Sequence, residues 1–546
     1  MERYVIIIIT VRYDKIHISR KDRNRQMSPK LYNTYITVDT AEIFTAVCAP
    51  SSDGKYPVVL FRCPYEDQHV EMTDDEVVDE IYTRFKAYLD NGFVFIYQDC
   101  RGTGKSTGEF IPFVTETEDG NALQDWVRKQ SFYNGEIYLL GASYTSAVHY
   151  AVAPFADDVK GVALSTMDPN YYTLAYLNGF YKIGLHGNWY TGLYKKKSDL
   201  DKKIGSDSFR LLPLSDYSKV AFGEDSSDID GVLMNPDKDS PFWSTYHSGR
   251  YTTDILKGAN IPVLLTTGFV DIFTQGVIDM WEALDDETKA KSALLVHPYN
   301  HSACSEGMPY DFPGVHPDGE SDLLQLEFIK YARGMRKAPL PLGKVTYYEV
   351  FGKDGWSTDD FKQPEKSITL PLGKGEYSYT YDPADPTIYN HGCTHNFGSC
   401  RILNPPEAYP DAVTFYTDEF TEDLHVRGKM KARLRVRSDC EDTCFYILIS
   451  LCKAEGDLTF RDDINAVSAF CPDYVPGTET DMEFIFDSGA FMIAKGERLR
   501  IDITSSAFPL FVPHTNLRGH QHLQNTYKIA HNSVIADKST LTINYK

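Results

Sequence analysis

An apolar run that stops abruptly at a Gly-x-Ser sequence is the feature that most constrains how this chain can fold. The run extends from Ile137 to Leu140, Gly141 and Ser143 follow, and residues 146–153 suit a helix. A strand, a sharp turn and a helix in that order form a nucleophile elbow, which holds a serine hydroxyl clear of the backbone. The glycine relieves crowding where the turn is tightest. Thr145 departs from the G-x-S-x-G pattern, so the elbow needs support from partner residues.

Length and composition describe a multidomain globular protein. A chain of 546 residues is too long for one core, and 42% apolar with 24% charged residues is ordinary for such proteins. The net charge of −22 repels phosphate backbones, which argues against nucleic acid as a partner. Ten scattered cysteines form no disulfide framework and indicate a cytoplasmic protein. The apolar run at residues 5–9 is too short to cross a bilayer, so we expect no membrane partner.

The order of apolar patterns predicts three units. Up to residue 168, and again over 247–338, buried strands alternate with helical segments, which indicates an α/β core built on a parallel sheet. Residues 169–246 break that rhythm with tyrosine-rich helical pieces and read as a cap inserted above the core. Over 339–546 short alternating strands and frequent turns replace the helices, which fits a β-sandwich.

The acid and base that a serine nucleophile needs follow later in the chain. In an α/β hydrolase the order is Ser, Asp or Glu, then His, with each residue placed just after a core strand. Asp271 follows the predicted strand 263–267, and His301 follows the strand 293–296. We expect His301 to accept the proton of Ser143 and Asp271 to orient the imidazole. His297 is the rival base, and we interpret it as a wall residue of the site.

Two donors are expected to face the developing oxyanion. The first is the backbone N–H of Tyr144, the residue after the nucleophile. The second should come from the loop after the early strand that ends near Phe61. In that loop Tyr65 offers a phenolic O–H.

Several further motifs resemble those of the cocaine-esterase and X-prolyl dipeptidyl-peptidase (CocE/NonD) family of serine hydrolases. They are Arg62-x-Pro64-Tyr65, Gln98-Asp99-Cys100-Arg101-Gly102, Gly141-Ala142-Ser143-Tyr144, Gly268-Phe269-Val270-Asp271, His297-Pro298-Tyr299-Asn300-His301 and Gly355-Trp356. The resemblance covers the chain from about residue 33 onward. It implies an α/β hydrolase core with a helical cap insertion and a C-terminal all-β jelly-roll domain. It also implies serine acyl transfer, with Tyr65 and the Tyr144 amide as the oxyanion hole.

The chain departs from the family pattern in three places. Ser146 stands where glycine is commoner, His297-Pro298-Tyr299 replaces Gly-Pro-Trp, and residues 1–26 resemble an extension. The first two departures concern the walls of the site, so they bear on specificity more than on chemistry.

The predicted substrate is a small-molecule ester or amide, or a short peptide. A carboxylesterase is the first choice. The alternatives are an X-Pro dipeptidyl-peptidase and an amino-acid ester hydrolase or β-lactam acylase. Their substrates carry an ammonium group, so the pocket would need a carboxylate, for which Asp168, Glu66 and Asp67 are candidates. The alternative from another class is an inactive hydrolase-fold binding protein. The sequence leaves open whether the protein forms a homodimer through the β domain.

Aromatic side chains are expected to wall the acyl pocket. Four come from the cap and one stands beside the predicted acid: Tyr172, Tyr176, Phe180, Trp189 and Phe273.

We predict that catalysis needs no metal or organic cofactor. Two groups of potential zinc ligands have spacings that fit no standard site: His391, Cys393, His395 and Cys400, and then His514, His520 and His522. The segment from Gly102 to Thr107 resembles the end of a P-loop, but Asp99 stands where its first glycine should be.

Overall fold

A computed structural model describes residues 28–194, 213–245, 251–301, 310, 312, 320–353, 355–386, 402–403 and 409–546. The N-terminal extension, the apolar run at residues 5–9 and the candidate ligands from His391 to Cys400 lie outside the described residues.

Strands and helices are numbered separately along the chain. The strands are β1 (Lys30–Val38), β2 (Ala41–Ala49), β3 (Tyr56–Cys63), β4 (Val94–Asp99), β5 (Tyr133–Ala142), β6 (Val159–Ser165), β7 (Tyr176–Leu177), β8 (Phe180–Tyr181), β9 (Val263–Gly268), β10 (Ala293–His297), β11 (Val345–Tyr348), β12 (Trp356–Asp359), β13 (Lys366–Pro371), β14 (Glu376–Tyr381), β15 (Ile402–Leu403), β16 (Ala412–Tyr416), β17 (Leu424–Gly428), β18 (Lys431–Ser438), β19 (Cys444–Lys453), β20 (Gly456–Ala466), β21 (Thr480–Ile485), β22 (Gly489–Ile493), β23 (Arg498–Thr504), β24 (Ala530–Ile535) and β25 (Thr540–Tyr545). The helices are α1 (Asp74–Asp90), α2 (Glu116–Arg128), α3 (Tyr144–Tyr150), α4 (Tyr171–Ala175), α5 (Asn188–Tyr194), α6 (Tyr217–Phe222), α7 (Ser227–Leu233), α8 (Pro241–Thr245), α9 (Thr274–Ala283), α10 (Asp286–Lys289) and α11 (Glu320–Ala332).

The first unit is a ten-stranded sheet in the order β1-β2-β4-β3-β5-β6-β9-β10-β11-β12. Strands β3 to β6 and β9 to β11 pair in parallel, and antiparallel strands close both edges. The parallel strands are buried and apolar because helices cover the faces of such sheets. The α/β hydrolase core predicted from the alternating pattern is therefore confirmed.

The core sheet continues beyond residue 338, where the sequence pattern predicts the start of the β domain. Strand β11 pairs in parallel with β10, and β12 pairs with β11. Residues 345–350, which the pattern assigns to the sandwich, thus contribute a strand to the core instead. Short alternating strands suit the edge of a core sheet as well as a sandwich, so periodicity alone does not separate the two.

The cap consists of short helices, as expected, and also contains the two-residue strands β7 and β8. The described part of the cap is hydrogen-bonded to the β domain. The Gly184 N–H donates to the carbonyl of Leu510 at 3.1 Å, and the Val512 N–H donates to the carbonyl of Tyr181 at 3.2 Å. Asn178 donates to Asp463 at 2.9 Å. The cap therefore lies between the core and the β domain.

The C-terminal unit is a sandwich of two antiparallel sheets. One contains β13, β14, β17, β18, β21, β22, β24 and β25, and the other has the order β15-β20-β19-β23-β16. Arg461 of β20 donates to the carbonyl of Phe269 in the core at 3.2 Å. Ser488 donates its N–H to Gln275 of α9 at 2.9 Å. These bonds join the β domain to the segment that carries Asp271.

Candidate active site

The elbow is present where the sequence predicts it. Strand β5 ends at Ala142, α3 begins at Tyr144, and Ser143 between them has φ 56° and ψ −133°. A positive φ is uncommon for residues other than glycine and marks backbone strain. A Cβ atom added to Gly141 would lie 2.1 Å from the Thr145 carbonyl oxygen, so only glycine fits there. The turn therefore exposes the serine hydroxyl at the end of a central strand.

Two hydroxyls stabilise the elbow at the positions that depart from the glycine-rich pattern. Thr145 Oγ1 accepts from the N–H of Ala142 and donates to its carbonyl, both at 2.6 Å. Ser146 Oγ accepts from the N–H of Ser165 and donates to its carbonyl, both at 3.0 Å. The two side chains are buried. Thr145 stabilises the turn, and Ser146 ties the start of α3 to β6. The sequence led us to expect that Ser146 would affect the walls of the site instead.

Ser143, His301 and Asp271 form a continuous chain of hydrogen bonds. His301 Nε2 lies 2.9 Å from Ser143 Oγ, and His301 Nδ1 lies 2.9 Å from Asp271 Oδ1. His301 and Asp271 are buried, and Ser143 is partly exposed. This geometry allows the imidazole to take the serine proton while the carboxylate stabilises the imidazolium.

Asp271 is held in the loop after β9. Thr267 Oγ1 donates to Asp271 Oδ2 at 3.0 Å, and the N–H of Phe273 donates to Oδ1 at 3.1 Å. A Cβ on Gly268 would lie 2.0 Å from the carbonyl oxygen of Tyr299. Glycine is therefore required where the loop that carries Asp271 passes the loop that carries His301. The helix after the acid starts only at Thr274, so Asp271 is not its N-cap.

His297, the rival base, is buried at the end of β10. Its Nδ1 accepts from the Tyr299 N–H at 3.2 Å, and burial lowers the pKa of His297 to about 4. A Cβ on Gly268 would come within 2.7 Å of this ring. His297 is thus packed against the acid loop, while His301 faces Ser143.

Tyr65 lies beside Ser143 and is joined to the cap. Its phenol oxygen accepts from Trp189 Nε1 at 3.3 Å, and Ser143 is among the groups that neighbour the phenol. Burial raises the pKa of Tyr65 above its ordinary value, so the phenol keeps its proton and can donate to an oxyanion. The Tyr144 N–H is the first of α3, a position without a carbonyl partner inside a helix. Both predicted donors are therefore next to the serine.

A buried polar network supports the elbow from below. The Tyr144 hydroxyl donates to Glu116 at 2.8 Å and accepts from the N–H of Phe113 at 2.8 Å. Glu116 forms an ion pair with Arg62 at 2.7 Å, and both side chains are buried. The arginine of the Arg-x-Pro-Tyr motif therefore acts through Glu116 and Tyr144 on the helix that follows the nucleophile.

Of the predicted pocket residues, Trp189 and Phe273 lie at the site. The Trp189 ring packs against Tyr144 with centroids 5.8 Å apart, and Phe273 packs edge-on against His301 at 5.4 Å. Phe113, which the sequence did not indicate, lies among Tyr144, Tyr171, Trp189 and Tyr251 with centroids 4.5–6.1 Å away. No motif signals this role, because Phe113 lies in an irregular loop.

The other three predicted pocket residues contact the cap and the β domain. Tyr172 stacks on Tyr176 and donates to the carbonyl of Pro236 at 3.0 Å. Tyr176 donates to the carbonyl of Val232 at 3.0 Å. Phe180 packs edge-on against Phe511. These contacts place Tyr172 within the cap, and Phe180 where the cap meets the β domain.

Neighbouring groups hold two of the candidate ammonium-binding carboxylates, Asp168 and Glu66. Asp168 is buried, accepts from the Asn170 N–H at 2.8 Å and also hydrogen-bonds with Thr173; burial raises its pKa to about 6. Glu66 pairs with Arg84 at 2.7 Å. Asp67 is exposed at the start of a short 3₁₀ turn.

The remaining motifs do not form binding sites of the types considered. The segment 101–110 consists of turns and no helix follows it directly, unlike a P-loop. His514, His520 and His522 have separate partners, which are Asp442, Met234 and Leu233. Within the described part of the chain, one cluster of three metal-ligand side chains occurs, Glu66, His69 and Glu80.

Comparison with known proteins identifies the family. Residues 39–303 match the model of the X-Pro dipeptidyl-peptidase S15 family, and residues 341–540 match that of the X-Pro dipeptidyl-peptidase C-terminal non-catalytic domain. The chain belongs to the CocE/NonD family. It is accordingly a serine hydrolase acting on esters or X-Pro peptides.

Three known proteins match the chain over most of its length. The cocaine esterase of Rhodococcus sp. (strain MB1 Bresler) is 24% identical over 532 residues, which covers 86% of this chain and 89% of the esterase. An aminopeptidase from a marine sediment Thaumarchaeota archaeon superposes with a TM-score of 0.77 at 17% identity, covering 97% and 99% of the two chains. An α-amino acid ester hydrolase gives a TM-score of 0.75 at 16% identity, covering 97% and 98%. These two structures show the shared fold.

No helix in the described ranges is long and apolar enough to cross a membrane.

Proposed function

We propose that this CocE/NonD hydrolase is a carboxylesterase that cleaves a small ester or amide through an acyl-Ser143 intermediate. The observation that carries the proposal is the chain of hydrogen bonds from Asp271 through His301 to Ser143, with Tyr65 beside the serine.

The proposed reaction has two halves. In the first, His301 Nε2 takes the Ser143 proton as Oγ bonds to the substrate carbonyl carbon, and the carbonyl oxygen becomes an oxyanion. The Tyr65 O–H and the Tyr144 N–H donate to that oxyanion, whose collapse expels the leaving group with the proton from His301. In the second half, water gives His301 a proton and attacks the acyl carbon, which releases the acid and restores the serine. Each step uses only protein groups, substrate and water.

The first experiment combines labelling with a variant. A fluorophosphonate probe should modify one residue, identified by mass spectrometry as Ser143. Ser143→Ala should abolish ester turnover and leave the circular dichroism spectrum and unfolding midpoint near wild type. Labelling at another serine, or full activity in the variant, would overturn the assignment.

An esterase is preferred because Asp168 and Glu66 already have partners. A substrate ammonium group would have to displace Thr173 and Asn170 from the first carboxylate, or Arg84 from the second. The aromatic surroundings formed by Phe113, Trp189 and Phe273 suit an uncharged acyl group.

A second candidate function, cleavage of α-aminoacyl esters or peptides, is favoured by one observation. Asp228 of α7 has buried carboxylate oxygens and neighbours Tyr190, the residue after Trp189. Burial raises the pKa of Asp228 to about 7, so the group is costly to ionise alone and would gain from a bound ammonium.

Matched substrates separate the two functions. For an esterase, a butyryl ester should be cleaved at least as well as the matched α-amino ester, and Asp228→Asn should affect both equally. A selective rise in KM for the amino ester in Asp228→Asn would favour the second function.

We further propose a cytoplasmic location. The seven described cysteines are free thiols, and burial raises the pKa of Cys48 and of Cys63 to about 12. Unreactive buried thiols suit a reducing compartment.

A further inference from the structure

A cluster of one histidine and two glutamates lies directly behind the loop that carries Tyr65. Glu66 immediately precedes the 3₁₀ turn that follows Tyr65, His69 lies within that turn, and Glu80 belongs to α1. One ligand atom from each of the three side chains lies within 4.8 Å of the others. The cluster has no part in the acyl-transfer chemistry described above.

His69 is fully buried and has one nitrogen available. Its Nδ1 lies 2.9 Å from Asp99 Oδ1. Asp99 also accepts from the Tyr97 hydroxyl at 3.0 Å and from the Lys105 N–H at 2.9 Å, so it is held as an acceptor for the Nδ1 proton. The other nitrogen, Nε2, is buried and meets no hydrogen-bond partner among the residues that the structure describes. A carboxylate–histidine pair with a free second nitrogen is the arrangement that orients a metal ligand.

The charged groups around His69 carry a net negative charge, which favours binding of a cation. Glu66, Glu80 and Asp99 bring three negative charges, and Arg84 supplies one positive charge through its 2.7 Å pair with Glu66. Gln68 also donates to Glu66, which fixes that carboxylate. The balance is two negative charges beside an imidazole lone pair, which a divalent ion neutralises.

We propose that Glu66, His69 and Glu80 bind a divalent transition-metal ion, with Zn²⁺ the ion that the donor set suits best. One imidazole nitrogen and two carboxylate oxygens leave a fourth position for water in a tetrahedral site. Asp99 and Arg84 position the histidine and Glu66 from outside the coordination sphere. The ion ties the segment after β3 to α1.

The position of the site implies an effect on the reaction. Glu66 directly follows Tyr65 in the chain, so an ion bound to Glu66 restrains the backbone next to Tyr65, the proposed oxyanion donor. We expect Zn²⁺ to stabilise the fold and to change kcat more than KM, because Tyr65 acts on the transition state.

The test is calorimetric titration of the chelator-treated full-length protein with Zn²⁺. The wild type should bind one equivalent that Glu80→Gln loses, and Zn²⁺ should raise its unfolding midpoint but not that of the variant. Glu71→Gln, which changes an exposed acid next to the 3₁₀ turn, should bind like wild type. His69→Gln should also lose the equivalent. If Glu80→Gln keeps the stoichiometry and affinity of wild type, the site is refuted.

Two further variants serve as controls, one for zinc binding elsewhere in the chain and one for the proposed esterase mechanism. Cys393→Ser removes one candidate ligand from the group His391 to Cys400. Loss of the Zn²⁺ equivalent in this variant, with retention in Glu80→Gln, would assign the ion to that group and refute the proposed site. Ser143→Ala should bind Zn²⁺ like wild type, so failure of the metal site and failure of the proposed esterase mechanism give different results.

Discussion

The indole N–H of Trp189 in the cap donates to the phenol oxygen of Tyr65 in the core, 3.3 Å away. Ser143 is among the groups that neighbour the Tyr65 phenol. The cap is thereby connected to the proposed oxyanion hole through one ring and one hydroxyl. The position of the Tyr65 hydroxyl thus depends on a residue of the cap as well as on the core.

Tyr65→Phe should lower kcat without a matching change in KM. The variant keeps the ring and removes the one side-chain donor, and loss of an oxyanion donor typically costs ~10²–10³ in kcat. Steady-state kinetics on a butyryl ester measure the effect. Tyr172→Phe is the control, because the Tyr172 hydroxyl is bonded within the cap, and its kcat should stay near wild type. Equal losses in the two variants would place Tyr65 outside the oxyanion hole.

Asp271→Asn and His297→Asn should have opposite outcomes. The first removes the carboxylate that fixes the tautomer of His301, a change that costs ~10⁴ in kcat in serine hydrolases with this arrangement. The second variant changes a buried wall residue, so its kcat should stay near the wild-type value. Single-turnover assays on both proteins give the comparison. A larger loss in His297→Asn would identify His297 as the base.

Thr145→Ala should destabilise the fold and reduce activity together. The variant removes two hydrogen bonds of the elbow, each worth ~1 kcal/mol of unfolding free energy. Urea unfolding and ester turnover measured on the same preparation test this expectation. Thr83→Ala is the control, since Thr83 is exposed on α1 and bonds only to the carbonyl of Asp79. Unchanged unfolding in Thr145→Ala would show that the hydroxyl does not stabilise the turn.

Acidification should destabilise the protein partly through His186. Burial, with a contribution from Lys182, lowers the pKa of His186 to about 3. Between the unfolded pKa of ~6.5 and that value, the unfolded chain binds the extra proton, so stability falls as pH falls. From pH 7 to 5 this histidine accounts for at most ~2 kcal/mol.

His186→Gln is the variant that isolates this contribution. It keeps a polar side chain between Tyr171 and Tyr181. Its unfolding free energy, measured in urea, should change less between pH 7 and pH 5 than that of wild type. Asp168 acts in the opposite direction, because its pKa is raised to about 6, and it is unchanged in the variant. An identical pH dependence in both proteins would contradict the prediction.

The core could be predicted from the sequence because its determinants are local. Buried strands alternate with helices, and Ser143, Asp271 and His301 each follow a strand that ends at the same edge of the sheet. Parallel strands bring such residues together whatever the loops between them do. The placement of Tyr65 after β3 is predictable for the same reason.

The pocket could not be predicted in the same way because its determinants are distant in sequence. Phe180 packs against Phe511, and Tyr176 against His522, in pairs that join the cap to the far end of the β domain. Thr145 and Ser146 show a second reason why sequence-based prediction is incomplete. Sequence comparison marks them as departures, whereas only the structure shows that their hydroxyls bond the backbone.

The attachment of the cap to the β domain affects how a substrate is chosen. Three hydrogen bonds, which involve Gly184, Val512 and Asn178, attach the described part of the cap to the β domain. A lid that swings at each turnover would have to break these bonds every time. We therefore expect the cap to keep one position during turnover, so that the size limit on the acyl group is set when the three units pack together during folding.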